Sequence, residues 1–396
     1  MDNHEYNFRK SFDCIAGAGV IKYLLSGKDQ DHNLEKLDQF QKQHKDWLFG
    51  HISYDLKNEI EDLSSSNFDG IQFPVLLFFV PEIVFILNKN ELQIGVCSLN
   101  PDLVFNQLTS GIFPEEKNKE IPFLKSRLTK KNYVETVKTL QTHILKGDCY
   151  EINFCQEFFA TDTKIDPVYV YRNLNIYSPN PFSAFYKYKD KFLMCASPER
   201  FLKREGDLLI SQPMKGTAKR ILNDENADLS HKDALRLDAK ERSENIMIVD
   251  LVRNDLTKVC IGGSVKVEEF LEIYSFPQVH QMISTVTGIL NKSVKLSEIF
   301  KSTFPMGSMT GAPKKRVMEL IEKYEKTKRG LFSGTIGYFD PEGNFDFNVV
   351  IRSLQYNSTT RYLSIIAGSA ITFHSIPEKE YEECLLKISA MKKSLE

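Results

Sequence analysis

Lys215 stands in the segment Ser211-Gln-Pro-Met-Lys-Gly-Thr217. Pro213 fixes its own φ, Gly216 admits a backbone conformation that other residues resist, and Thr217 adds a hydroxyl. Two readings stand side by side. One is a solvated lysine on a surface turn; the other is an amine held still, its pKa lowered by desolvation toward that of a nucleophile. Glu241-Arg-Ser-Glu244 sets two carboxylates at i, i+3 of a helix. Such a pair costs roughly 0.2–0.5 kcal/mol in water and more when desolvated, so Lys240, Arg242 or a cation should compensate. Glu380-Tyr-Glu-Glu383 repeats the spacing. There Tyr381, Leu385 and Ile388 form an apolar stripe, leaving Glu380, Glu383 and Lys387 together on another face. Singly, the first pair reads as a salt-bridged helix face and the second as acids favoured by a helix N-terminus. Converging, four carboxylates from two helices suit Mg²⁺, a hard ion that takes oxygen ligands.

Glu199, in Ser197-Pro-Glu-Arg200 after the apolar Phe192–Ala196, is either a turn acid or a general acid with a raised pKa. Phe304-Pro-Met-Gly-Ser-Met-Thr-Gly-Ala-Pro-Lys314 joins two glycines and the hydroxyls of Ser308 and Thr310 to a helix start. Backbone N–H groups there can hold an anion, although the spacing is not that of a P-loop. Arg352 can grip a carboxylate bidentately or make an ordinary edge salt bridge. Gly17-Ala-Gly19 lacks the third glycine of a dinucleotide fingerprint.

The elements that must position these residues follow from periodicity. Residues 1 to about 115 read as a β-rich portion of the fold, with strands over Trp47–Asp55, Ile71–Val80, Ile83–Leu87 and Leu92–Val96. Pro114–Glu120 is a charged surface connection, and residues 116–396 form the catalytic region. The spacing of Tyr133, Val137, Leu140 and Ile144, with Thr129 as N-cap and Gly147 at C′, predicts a helix over Lys130–Lys146. Strands alternate with turns from 150 to 213. A long helix over about 231–254, apolar nearly all round at Ile246–Val249, should be buried. A further helix runs from Pro313 to about Lys328, and a last one covers 377–394. Asp340-Pro-Glu-Gly-Asn344 is a hairpin turn between strands Thr335–Phe339 and Phe345–Arg352. This mixture predicts an α+β fold.

Length alone suggests two or three domains. A net charge of −2 offers no basic field for nucleic acid, and the best apolar run, Phe73–Val80, is strand-sized, so neither nucleic acid nor membrane is expected as a partner. The seven scattered cysteines have no C-x-x-C pair, which argues against a disulfide framework or structural zinc. With no signal-peptide pattern at the start, a cytoplasmic setting is expected.

Six ordered segments from about Thr129 to Met391 resemble the chorismate-utilising enzymes, the family of anthranilate synthase component I, aminodeoxychorismate synthase component I and the isochorismate and salicylate synthases. They are Gly147–Phe154, Ser197–Glu199, Pro213–Thr217, Lys240–Leu256, the 304–314 loop and Pro377–Glu383. The resemblance implies an anthranilate synthase component I-like fold, with two large, mainly antiparallel sheets packed together and flanked by helices. It implies Glu244 and Glu383 as direct Mg²⁺ ligands, supported by Glu241 and Glu380, with the ion holding one carboxylate of chorismate. Glu199 would protonate the departing C4 hydroxyl. Gly216, Thr217, Ser308, Thr310, Phe332, Arg352, Gly368, Ser369 and Lys387 would bind substrate.

Lys215 separates the branches. Most of the family has alanine there; a lysine resembles aminodeoxychorismate synthase component I, in which it is thought to attack C2 of chorismate before ammonia resolves the adduct at C4. The resemblance therefore implies conversion of chorismate and ammonia to 4-amino-4-deoxychorismate for 4-aminobenzoate and folate synthesis. Anthranilate synthase component I is the alternative, and a non-catalytic chorismate-binding regulatory subunit a second. No Gly-x-Cys-x-Gly elbow is present, so ammonia is expected from a separate glutamine amidotransferase subunit. Glu151 stands where the ammonia-using branches have glutamine, Gln281 where histidine is common, and Ala367–Ile371 replaces a more glycine-rich run.

Overall fold

The computed structural model describes residues 1–4, 6, 9–26, 32–111, 120–276 and 279–396. Pairing between the strands described is antiparallel and gathers them into sheets of ten, seven and three. The ten-stranded sheet runs in the order Met214–Lys219, Val279–Ile289, Leu208–Gln212, Arg200–Glu205, Phe345–Asn348, Thr335–Phe339, Leu48–Ile52, Leu76–Val80, Lys22–Leu25, with Lys266–Ser275 also on Val279–Ile289. The seven-stranded sheet is Gly311–Ala312, Glu151–Ala160, Tyr362–Ile371, Ser353–Asn357, Lys191–Ser197, Phe182–Tyr188, with Lys125–Ser126 on Glu151–Ala160. The expected α+β class and two large antiparallel sheets are present.

The period of two explains how each strand is held. In Phe345-Asp-Phe-Asn348, Phe345 and Phe347 join Phe300 and Phe339 in one aromatic core, with the Phe339 and Phe347 centroids 5.1 Å apart. Asp346, between them, accepts two hydrogen bonds from buried Arg200 at 2.9 and 3.0 Å. Each fully buried phenylalanine contributes about 1.5–3 kcal/mol. A second core lays Tyr133, Val137 and Leu140 of the Lys130–Leu145 helix against Ile152, Phe154 and Val317. In a third, Ala184, Tyr186 and Leu193 of the seven-stranded sheet meet Leu77 and Ile336 of the ten-stranded one, so the two sheets pack on each other.

Several boundaries differ from the sequence reading. The Lys130 helix ends at Leu145, with the Thr129 side chain accepting from Asn132 N and Gly147 at φ 81°. The strand expected over 71–80 starts only at Leu76, because Gln72 takes a positive φ and Pro74 follows. The Leu48–Ile52 strand gives way to a short helical turn at Tyr54–Leu56. Helices Asn33–His44, Pro101–Ser110 and Pro167–Tyr177 fall where strands and turns were expected; Asn100 and Asp166 each cap a proline-started helix. The helix expected over 231–254 is two, Glu225–Leu237 and Ala239–Thr257, broken at Asp238, whose carboxylate accepts from Glu241 N at 2.9 Å. Only Ile248 and Val249 of its apolar run are buried; Ile246 is exposed. The Lys314–Tyr324 helix stops short of 328 because Glu325 turns inward to Arg329. The last helix breaks at Ile388 into Pro377–Lys387 and Ser389–Lys393. The hairpin at 340–344 forms as expected, but its second strand ends at Asn348, leaving Arg352 at a positive φ. Of Pro114–Glu120, residues 114–119 lie outside the described residues. Among the described residues no helix is long and apolar enough to cross a membrane.

Candidate active site

The Met214–Lys219 strand is irregular where it matters. Its register against Val279–Ile289 shifts between Met214 and Thr217, and Gly216 takes φ 88°. A Cβ on Gly216 would sit 3.2 Å from Glu241 and 3.3 Å from Leu235, so the glycine is required by φ and by the close approach of the helices. Gln281 holds the turn from the neighbouring strand. Its Nε2 donates to Gly216 O at 2.9 Å, and its Oε1 accepts from Thr217 Oγ1 at 3.2 Å. Asn245, next to Glu244, pins the helix to the same strand by donating to Met282 O and accepting from Ser284 Oγ.

Held this way, Lys215 reaches Glu151, Nζ to Oε1 3.1 Å, with 13 % of the lysine side chain exposed and 1 % of the glutamate. It is not a surface lysine. Its charge state also differs from the expectation. Burial pulls the ammonium pKa down, but Glu151, Glu244 and Glu199 outweigh it and hold the value above the ordinary one. In the free site Lys215 is an ammonium ion, and it must lose a proton before it can act as a nucleophile.

Glu199 lies between the Lys191–Ser197 and Arg200–Glu205 strands and is buried. The Ser197 hydroxyl fixes the corner, accepting from Glu199 N and donating to Val349 O. Ser308 Oγ donates to Glu199 Oε1 at 2.7 Å. Burial pushes the carboxyl up to about 7, against the opposing pull of Ser308 and Lys215. A carboxyl poised there can deliver a proton near neutrality.

The two glutamate pairs do converge. Lys240 Nζ stands between the helices, 3.7 Å from Glu244 Oε1 and 3.3 Å from Glu380 Oε1. It is the expected compensating cation, whereas Arg242 turns away to Arg236 O. Burial pushes Glu244 up to about 7, with Lys215 opposing, and raises Glu241 as well. Glu383 pairs with Lys387 at 2.6 Å, and Lys387 also donates to Gly368 O at 2.8 Å. Glu244 Oε1 and Glu380 Oε2 are buried without a hydrogen-bond partner among the described residues. Buried carboxylate oxygens with no hydrogen bond are the donor chemistry a hard divalent ion takes. As they stand, however, no three of the described acidic, histidine or cysteine groups close into a metal cage.

Arg352 and Gln281 line one cleft with Pro198, Phe276 and Val279. Desolvation lowers the Arg352 pKa, with Glu383 opposing, and no ion pair to Arg352 is formed among the described residues. A half-buried guanidinium in a cleft suits an incoming carboxylate.

The other residues expected to bind substrate make contacts within the fold. Thr310 Oγ1 donates to Met306 O at 3.0 Å, which closes its own loop. Phe332 packs in the aromatic core with Met309 and Cys155. Ser369 Oγ meets Tyr133 OH at 3.4 Å. At Gly368 a Cβ would lie 2.4 Å from Cys155 Sγ, so strand pairing alone accounts for the glycine. The roles of Gln281 as a clamp and Asn245 as a pin were not foreseen. Asn245 carried a signal, as a polar residue on the buried face of its helix; Gln281 carried none beyond its departure from the family pattern.

Comparisons with known proteins bear on family and fold. The profile of the chorismate binding enzymes matches residues 4–393. Aminodeoxychorismate synthase component 1 of Salmonella typhimurium is 34 % identical over 351 residues, 88 % of this chain and 76 % of the relative. Anthranilate synthase component 1 of Saccharolobus solfataricus is 31 % identical over 351 residues, 89 % and 81 % of the two chains. The crystal structure of anthranilate synthase component I from Streptococcus pneumoniae superposes with a TM-score of 0.84, covering 99 % of this chain and 95 % of that one at 24 % identity, a likeness of fold. With a match that spans nearly the whole chain and this fold beneath it, the chain belongs to the chorismate binding enzyme family.

Proposed function

We propose that this chain is the chorismate-aminating component of an aminodeoxychorismate synthase, replacing the C4 hydroxyl of chorismate with ammonia to give 4-amino-4-deoxychorismate. The observation that carries the reading is Lys215, half-buried and ion-paired to buried Glu151, with Glu199 in electrostatic reach. Curated relatives of Salmonella typhimurium and Bacillus subtilis bearing that name, at 34 % and 30 % identity, support it.

Lys215 hands its extra proton to Glu151, the acceptor already hydrogen-bonded to it. The freed lone pair attacks C2, the ring double bond shifts, and the C4 hydroxyl leaves as water with the proton of Glu199. Passing the proton from Glu151 to Glu199 resets both. Ammonia then attacks C4 and returns the electron pair to Lys215. Arg352 would receive one carboxylate of the substrate. Mg²⁺, held by Glu244 and Glu383 with Glu241 and Glu380 in support, would bind the other and offset the glutamate charge. Ammonia would come from a separate glutamine amidotransferase, and the product would serve folate synthesis.

Anthranilate synthase component I is the second reading, favoured by the 31 % identical Saccharolobus solfataricus relative. Incubation with chorismate, Mg²⁺ and an ammonium salt, followed by chromatographic identification of the product, separates the two. Aminodeoxychorismate is expected. Anthranilate without it would overturn the proposal, and no turnover even with an amidotransferase would leave a chorismate-binding subunit.

A further inference from the structure

Glu151 has more acceptor capacity than the protein uses. The residue is 1 % exposed, and Lys215 takes only Oε1. Oε2 is buried with no hydrogen-bond partner among the described residues. Leaving such an oxygen unpaired is costly, and more so when it carries charge. Nor can the side chain readily retreat. Its backbone is fixed by the Gly311–Ala312 strand, whose Ala312 pairs with Glu151 and accepts from Tyr150 N at 2.8 Å. At Gly311 a Cβ would lie 2.1 Å from Glu151 O, so the two strands approach as closely as backbone allows.

We propose that Glu151 Oε2 is the binding site for the ammonium ion that supplies the entering nitrogen; this rests on the function proposed above. Ammonium is small enough for a buried position, cationic, and a donor from every corner, whereas chorismate is an anion that a carboxylate repels. The position also lies beside the lysine that ammonia must displace. Once Glu199 is reset, Glu151 is again a carboxylate. Bound ammonium gives one proton to Oε2 and becomes ammonia. Its lone pair forms the C4–N bond while the C2–Nζ bond breaks, and that electron pair returns to Lys215 as a neutral amine. The proton on Glu151 then passes to Nζ and restores the ion pair. A glutamine at this position still accepts a hydrogen bond from ammonium but contributes no charge and takes no proton.

The test is steady-state kinetics on the full chain, with ammonium chloride varied at saturating chorismate and constant ionic strength kept with sodium chloride. Glu151→Gln is expected to raise the KM for ammonium by about ten- to one-hundred-fold, the loss typical of a hydrogen bond between charged groups. kcat should fall as well, because Glu151 also accepts the Lys215 proton; the discriminating readout is the KM for chorismate, which should move less than about two-fold because the carboxylates of chorismate are held by other groups. Glu151→Asp, which keeps the charge on a shorter stem, should fall between wild type and Gln, and it stands as the second variant should Gln fail to fold. An unchanged ammonium KM in the folded variants overturns the site, as does a rise matched by chorismate. Product identity separates the two levels. If wild type makes aminodeoxychorismate and the variants bind ammonium normally, only the site falls; if wild type makes none, the function falls with it.

Discussion

At the residue scale, the Lys215 ammonium and the Glu199 carboxyl act on each other's charge. Glu199 acts in its protonated form, so its contribution to kcat/KM for chorismate falls as pH rises through about 7. Glu199→Gln should remove that alkaline limb together with most turnover, which a pH–rate profile would show. Stability follows the same group. Its folded pKa lies above the ordinary carboxyl value, so the stability it contributes is complete below that value and lost as pH rises through about 7. At about pH 8 the glutamine variant should be the more stable by on the order of 3 kcal/mol, and at about pH 5 the gap should nearly close. Thermal melts at the two values check this; an equal gain at both would refute it. Gln281 acts one step back from the chemistry, since it touches only the turn that carries Lys215. Gln281→Leu should lower kcat far more than it raises the KM for chorismate. Gln281→Glu is the sharper probe, because only a protonated carboxyl can both donate to Gly216 O and accept from Thr217. Its activity relative to wild type should rise as pH falls, and a flat ratio would reduce Gln281 to packing.

At the element scale, the glutamates depend on where two helices start. Asp238 breaks the chain between helices and caps the second through Glu241 N, setting the turn that carries Glu241 and Glu244. Asp238→Ala should cost about 1 kcal/mol of stability and raise the Mg²⁺ concentration needed for half-maximal activity. Chelation should abolish turnover and added Mg²⁺ restore it; full activity in excess chelator would remove the metal from the proposal. This break shows what a sequence conceals. Aspartate followed by Ala-Lys-Glu reads equally as helix interior or as a cap, and only packing against Gly216 decides. The i, i+3 spacing places each glutamate pair on one face of its helix, whereas the meeting of the two faces followed only from the family resemblance. The proton on Lys215 was not legible. It depends on Glu151, 64 residues away in sequence and on the other large sheet. Helix Pro167–Tyr177, by contrast, announced itself through Asp166-Pro167 and the spacing of Val170 and Leu174, signals outweighed by the strands around it.

At the scale of the whole molecule, one buried ion pair links the two halves of the site. Arg329 pairs with Glu325, Nη2 to Oε1 2.6 Å, both nearly inaccessible to solvent. Its Nη1 donates to Met309 O at 2.6 Å, in the loop whose Ser308 holds Glu199. Nη2 also donates to Asn153 O at 2.8 Å, on the strand that begins with Glu151. Glu325 Oε1 accepts from Cys155 N on that same strand. The pair therefore sets the acid relative to the partner of Lys215, although neither residue approaches the reaction. Removing one member strands the other charge: Arg329→Met should cost about 3–5 kcal/mol, whereas replacing both with apolar side chains should recover much of that loss. Catalysis should not recover in step, because the apolar pair cannot donate to Met309 O and Asn153 O. Urea melts and kcat for the single and double variants separate the two effects. A double variant restored in stability but still slow would show that the pair positions the site, and one restored in both would show that it only holds the fold.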